Sequence, residues 1–195
     1  MSAHLAIAAA ALLSLAAARP KAGSRSGEHW AITELTGQEV FSHVTTPSAA
    51  ASILRQGFRP GRGRHGPGVY LLPPEEIWGG GLPPSLTPAR EFRLVWHHGP
   101  VSVLRVSLPA GARLLRVSGF EVVRDAYKLL EGPGAYEEAL RERPVWEDGD
   151  VSRDALLLAL AKKSRIDGLY ITDIWQQGEI LIFDADLISV LGEWT

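Results

Sequence analysis

Three side chains that can do chemistry stand in short apolar segments far apart in the chain: His43, Tyr70 and Glu179. Their segments read SHVT, GPGVY and QGEILIFD. An imidazole hydrogen-bonds hydroxyl groups, an aromatic ring offers a flat face for stacking, and a carboxylate stabilises a developing positive charge. Brought together by a fold, the three would suit a ligand with a flat ring, hydroxyl groups and a centre that becomes cationic.

Local signals place these residues on strands separated by helices. Residues 40–43 predict a buried strand, and Thr46 followed by Pro47 predicts a helix that runs to about Gln56 and stops at Gly57. Apolar runs and period-two alternation predict most of the other strands. The remaining expectations are a flexible basic loop at 61–68, strands at 69–72, 101–108, 114–117, 169–174, 179–183 and 187–191, and helices at 120–130, 135–143 and 152–163.

The composition excludes several kinds of site. The 195 residues are 46% hydrophobic and 22% charged, which fits one globular domain with a sizeable core. The net charge of -2 gives no support for a general nucleic-acid coat or a polybasic membrane surface. Without cysteine, disulfides, a thiolate nucleophile and Cys-ligated metals are excluded, and the six histidines lack metal-binding spacing. We expect no metal.

The first 27 residues differ from the rest. Residues 5–18 form an apolar run, too short for a membrane-spanning helix of about 20 residues. Its length and its alanines resemble a signal peptide, although no Lys or Arg precedes it; the alternative is an Ala-rich junction helix of a larger protein. We therefore expect a leader or junction segment at 1–27, a domain at 28–195 and no stable membrane span. Export, or delivery into the cytoplasm of a target cell, would follow from a leader.

The order of the motifs resembles the His-Tyr-Glu branch of the ADP-ribosyltransferase superfamily, typified by diphtheria toxin and the poly(ADP-ribose) polymerases. Members of that branch carry four elements in a fixed order. These are an H-x-T strand, a helix ending in GF, a G-x-G-[IV]-Y strand and a final strand that begins with Glu. Here HVT, ILRQGF, GPGVY and EILIFD have this order, and DGL precedes the last of them. The resemblance spans about residues 40–188. It implies an α+β fold, a split β-sandwich of two small antiparallel sheets with surrounding helices and an NAD cleft between the sheets.

Two features depart from the branch. Val44 stands where many members have Gly, which is tolerable because the contact expected there, to the nicotinamide amide, is made by the main chain. The sequence QGE at 177–179 looks like the Q-x-E signature of the other, Arg-Ser-Glu branch. Since no matching Ser-Thr-Ser strand is present, the His-Tyr-Glu assignment is kept.

The resemblance gives each site residue a role. It implies that Glu179 stabilises the oxocarbenium-like cation formed when nicotinamide leaves the ribose, that Tyr70 stacks on nicotinamide, and that His43 binds a ribose hydroxyl. The arginines near 55–64 could hold the pyrophosphate, grip an RNA backbone, or form a solvated loop. The expected catalytic set is Glu179, His43 and Tyr70, and the expected NAD-binding set is His43, Val44, Thr45, Gly68, Tyr70, Arg55, Arg64 and Trp78.

The function implied is NAD-dependent mono-ADP-ribosyl transfer to a macromolecule, protein or RNA, with release of nicotinamide. A second hypothesis is an NAD glycohydrolase, which uses water as acceptor and needs the same site. An inactive module that binds NAD or ADP-ribose is a third, and a plain globular domain without a ligand is a fourth. The size of the domain and its detachable leader favour a bacterial toxin, for which we expect a cognate immunity protein with an acidic surface against the arginines.

Overall fold

The computed structural model describes residues 32–72, 100–118, 121–142, 149–172 and 178–193. Over these ranges the chain forms nine strands in two sheets and four α-helices, which confirms the α+β class. The expected leader at 1–27 lies outside the described residues.

The described part of the chain begins and ends with a strand, and three helices separate the first six strands from the last three. The strands are β1 (Ile32–Glu34), β2 (Glu39–Thr45), β3 (Gly61–Gly63), β4 (Gly66–Leu71), β5 (Ser102–Leu108), β6 (Arg113–Ser118), β7 (Gly168–Thr172), β8 (Gly178–Ile182) and β9 (Ser189–Glu193). The helices are α1 (Pro47–Gln56), α2 (Val122–Glu131), α3 (Ala135–Glu142) and α4 (Gly149–Ser164).

The larger sheet has the strand order β1-β6-β7-β8-β4-β3, and the smaller has the order β2-β5-β9. All of these pairings are antiparallel except β6 with β7, which are parallel, so the expectation of two antiparallel sheets was wrong for this pair. Parallel neighbours need a long crossover connection, and α2, α3 and α4 occupy it. The chain thus places β8 between β7 and β4, far from β4 in sequence and adjacent to it in space.

One hydrophobic cluster fills the space between the two sheets. Strand β5 contributes Leu104, Val106 and Leu108, all fully buried. The larger sheet supplies alternate residues of β4 and β8 to the same cluster, as the two-residue period of a strand requires. These are Val69, Leu71, Ile180 and Ile182, with Phe41 of β2 and Ala50 of α1 in the same cluster.

A second cluster lies on the opposite face of the larger sheet, under the helices. Leu181, between Ile180 and Ile182, points to this side and belongs to the same cluster as Leu157 and Leu160 of α4. Both faces of β7 and β8 are therefore covered. This explains why their sequences are continuous apolar runs instead of alternating ones.

The first helix begins and ends as its sequence predicts. The hydroxyl of Thr46 accepts a hydrogen bond from the N–H of Ala49 at 3.3 Å, and Pro47 occupies the first helical position. Gly57, at φ 76°, closes the helix, and its N–H donates to the carbonyl of Ile53 at 2.8 Å. The bounds of α1 therefore follow from its own capping residues.

The segment 61–68 is not the flexible loop that its glycines predicted. It forms a hairpin in which Gly61 pairs with Gly68, Arg62 with Pro67 and Gly63 with Gly66. The hairpin is held from outside this segment, because the side chain of Tyr70 reaches back and hydrogen-bonds its turn. The expectation of a loop was wrong for this reason.

Further elements also differ from the expectations. Strand β1 was not predicted; it pairs with β6 through Ile32 and Leu115. The last strand begins at Ser189, since a short 3-10 turn at Ala185–Leu187, capped by Asp184, precedes it. Helix α4 begins at Gly149. The expected ends at 120, 143 and 173–174 lie outside the described residues.

In the part of the chain that the structure describes, no helix is long and apolar enough to cross a membrane. The same residues include no group of three or more His, Asp or Glu side chains that could hold a metal ion.

Candidate active site

The two sheets meet at a bridge between Ser42 of β2 and Leu72. The N–H of Ser42 donates to the carbonyl of Leu72 at 3.1 Å, and the N–H of Leu72 donates to the carbonyl of Ser42 at 2.8 Å. Because backbone groups alternate in direction along a strand, those of Val44 point to the same side as those of Ser42. The antiparallel register of this isolated bridge, continued by two residues, puts Val44 opposite Tyr70.

His43 spans this junction. Its Nδ1 lies 2.8 Å from the carbonyl oxygen of Tyr70. A carbonyl only accepts, so Nδ1 carries the proton and Nε2 carries the lone pair in the neutral ring. Burial lowers the pKa of His43, and the hydrogen bond to Tyr70 opposes this only in part. The ring of His43 packs edge-on against Phe58 with 4.9 Å between centroids, and Nε2 is its nitrogen that can accept a hydrogen bond.

The lowered pKa of His43 predicts a pH dependence of stability. The unfolded chain takes up a proton at this histidine near pH 6.5, whereas the folded protein does so only at lower pH. The free energy of unfolding therefore falls as the pH drops below about 6.5. We expect this decline to be smaller in His43→Asn, measured by urea denaturation at about pH 7.5 and about pH 5.5. Equal declines in the two proteins would contradict the assignment.

Tyr70 lies on the helix-facing side of β4, and its hydroxyl is tied to the hairpin. The hydroxyl accepts from the N–H of His65 at 2.9 Å and donates to the carbonyl of Gly66 at 2.8 Å. Burial raises the pKa of Tyr70 to about 12. The charge of Glu179 also raises this pKa, whereas the hydrogen bond from His65 lowers it. The phenol thus stays neutral, which favours a packing role for Tyr70 over proton transfer.

Tyr70→Phe removes both hydrogen bonds and keeps the ring. We expect a loss of about 1–2 kcal/mol in the free energy of unfolding, since the N–H of His65 and the carbonyl of Gly66 lose their partner. Urea denaturation measures the change. Tyr136→Phe is the control, because the described residues show no hydrogen bond to the Tyr136 hydroxyl, and its unfolding midpoint should stay close to that of the wild type. Similar losses in both variants would refute the role of the Tyr70 hydroxyl.

Glu179 lies on the same face of the sheet as Tyr70. Tyr70 pairs with Leu181, and alternate residues of a strand share a face. The side chain of Glu179 is 37% exposed, and its Oε2 lies 3.5 Å from Nε2 of His65, whose side chain is 10% exposed. The carboxylate is thus open to solvent on one side and flanked by an imidazole on the other.

His65 was not among the residues that the sequence singled out, because it lay in a segment expected to be a basic loop. The connection Arg64-His65 lacks the Asn-Gly or Asp-Gly pair that predicts a two-residue hairpin. The glycine that follows it, Gly66 at φ 123°, is the one local sign of a turn at this place.

A cleft of about 430 Å³ lies between α1, the segment that follows it, and the β3–β4 hairpin. His43 and Tyr70 line it, and so do Arg59 and Arg62. Arg62 also donates to Asp154 of α4 at 2.8 Å. Glu179 does not line this cleft but lies on the sheet face that carries Tyr70.

Of the other residues expected to bind NAD, some line the cleft and others do not. Gly68 lines the cleft, whereas Arg55 and Arg64 are exposed and do not line it. Val44 has a buried side chain, and its main-chain groups point to the same side of β2 as those of Ser42. Thr45 ends β2, opposite Ser102. The expected residue Trp78 lies outside the described residues.

The fold and site define an α+β domain of two sheets with a cleft at their junction. No family model matches the chain, and no curated protein matches it. Among solved structures, the chain is similar to one in the crystal structure of the M. tuberculosis MbcT-MbcA toxin-antitoxin complex. The identity is 10% and the TM-score 0.41, over 83% of this chain and 87% of that chain.

Proposed function

We propose that this protein cleaves the nicotinamide–ribose bond of NAD and transfers the ADP-ribose to a macromolecule. The observation that supports this most is the junction of the sheets. There His43 is hydrogen-bonded to the carbonyl of Tyr70, and Glu179 lies on the same face of the larger sheet as Tyr70. These are the three residues whose motifs resemble the His-Tyr-Glu branch. The hydrogen bond between His43 and Tyr70 and the sheet face shared by Tyr70 and Glu179 are independent of the order of the motifs along the chain.

The junction offers a partner for each part of the nicotinamide riboside. The Nε2 acceptor of His43 suits a ribose hydroxyl. The main chain of Val44, which lies opposite Tyr70, suits the amide of nicotinamide, and the ring of Tyr70 provides an apolar surface for stacking.

Glu179 supplies the charge that the reaction needs. When the bond between the ribose C1′ and the pyridinium nitrogen breaks, its electron pair neutralises the nicotinamide ring, and positive charge develops on the ribose. A carboxylate beside the ribose stabilises that charge. An acceptor oxygen or nitrogen then bonds to C1′ and loses its proton to Glu179 or to water.

Arg59 and Arg62 are the candidates for binding the pyrophosphate. Arg59 and Arg62 line the cleft, and a guanidinium matches a phosphate with two parallel hydrogen bonds. Arg55 and Arg64, expected for this role from the sequence, lie outside the cleft lining.

Incubation of the purified protein with labelled NAD and a cell lysate tests the proposal. Protein, nucleic acid and free ADP-ribose are scored separately. Label on one macromolecular fraction supports transfer and identifies the class of acceptor. Free ADP-ribose alone would make the protein a glycohydrolase, and unchanged NAD with measurable NAD binding would make it a binding module.

We further propose that this activity serves a toxin with a cognate inhibitor. The exposed arginines near the cleft, Arg55, Arg59 and Arg64, suit an acidic inhibitor surface. Expression in a bacterial cytosol should then arrest growth, and Glu179→Gln should relieve the arrest. Normal growth with active protein would argue against the toxin role.

A further inference from the structure

His65 joins the backbone of the hairpin to the carboxylate of Glu179. Its N–H donates to the hydroxyl of Tyr70 at 2.9 Å, and its ring is almost fully buried with Nε2 3.5 Å from Oε2 of Glu179. Tyr70 and Glu179 share one face of the larger sheet, and His65 contacts both. Neither the order of the motifs nor the cleavage of NAD by His43, Tyr70 and Glu179 assigns a role to His65.

We propose that His65 is a positioning residue that holds the carboxylate of Glu179 in place for NAD cleavage, an inference that rests on the proposed function. A glutamate has several rotatable bonds, and this one is partly exposed, so a neighbour must select one rotamer. The buried imidazole of His65, with Nε2 3.5 Å from Oε2 of Glu179, is in a position to do so. Misplacing a reacting group by about 1 Å can cost about a hundredfold in rate.

The hairpin turn that carries His65 is held by two sets of contacts. The hydroxyl of Tyr70 binds both the N–H of His65 and the carbonyl of Gly66. On the other strand of the hairpin, Arg62 is paired with Asp154 of α4 at 2.8 Å. The hairpin that lines the cleft therefore also holds His65 next to the carboxylate of Glu179.

Two substitutions separate positioning from folding. His65→Phe keeps a ring and removes its nitrogens, whereas His65→Gln keeps an N–H donor. For NAD cleavage we expect His65→Phe to lower kcat about tenfold or more with KM for NAD within about threefold, and His65→Gln to recover most of the loss. In a Glu179→Gln background, His65→Phe should cost little more. Full activity of a folded His65→Phe would overturn the proposal.

NMR spectroscopy needs no NAD turnover, so it can test the positioning role of His65 separately from the proposed NAD cleavage. The imidazole signals of His65 in ¹H–¹⁵N NMR spectra should move in Glu179→Gln, while those of His43 stay near their wild-type positions. Unmoved His65 signals would overturn the positioning role even in an active enzyme. Moved signals in a protein that leaves NAD intact would support the contact and reject the proposed function. This comparison leaves His65 itself unaltered, so it holds even if His65→Phe does not fold.

Discussion

If the protein cleaves NAD as proposed, we expect Glu179→Gln to lower the rate of cleavage by about 100- to 1000-fold, the size expected when one preorganised electrostatic group is lost. The amide has nearly the same shape as the carboxylate but carries no charge, so the developing cation on the ribose loses its partner. The ring of Tyr70 and Nε2 of His43 remain, so KM for NAD changes far less than kcat. Nicotinamide release under saturating NAD measures the effect.

Glu193→Gln is the matched control. Glu193 is an exposed glutamate at the end of β9, in the smaller sheet, and the same substitution there should leave the rate within about twofold of the wild type, as surface changes usually do. If Glu179→Gln also kept the wild-type rate, the assignment of Glu179 as the catalytic carboxylate would be wrong.

Gly68→Ala should destabilise the protein by about 3 kcal/mol, through strain at a backbone conformation that favours glycine and through a steric clash. Gly68 has φ 150°, and a Cβ there would collide with the carbonyl oxygen of Ile182 and with the side chain of Leu181. The carbonyl belongs to the backbone of β8 and cannot rotate away. Urea denaturation, followed by circular dichroism, measures the change.

Gly61→Ala is the control for Gly68→Ala in the same hairpin. A Cβ at Gly61 would meet only the carbonyl oxygen of Gly68, at 3.9 Å, an ordinary van der Waals distance. We expect its free energy of unfolding to stay within about 1 kcal/mol of the wild type. Equal losses in the two variants would show that the approach of β4 to β8 is not what requires glycine.

The close approach of β4 to β8 links Gly68 to the candidate active site. Gly68 permits β4 to lie directly against β8, and this contact puts Tyr70 and Glu179 on neighbouring strands. A protein that tolerates Gly68→Ala by moving the strands apart should also lose NAD cleavage, because the carboxylate would move away from the ring.

The sequence alone determined the elements whose signals are local. The cap at Thr46, the proline that follows it and the stop at Gly57 define α1 without help from the rest of the chain. Apolar runs identified the strands that carry His43, Tyr70 and Glu179. Their order along the chain suggested the class of chemistry, since residue types and motif order are properties of the sequence.

Only the tertiary structure decided how these elements meet. The hairpin at 61–68 is joined to the rest of the fold by the pairing of β4 with β8 and by the ion pair of Arg62 with Asp154, and the pairing brings His65 beside Glu179. Likewise, Arg59 and Arg62, and not Arg55 and Arg64, line the cleft. Each of these facts depends on contacts between residues of different elements or on the direction of a side chain from a packed strand. Local propensity carries no information about either, because the energy that selects them comes from packing and hydrogen bonds formed only when the sheets assemble.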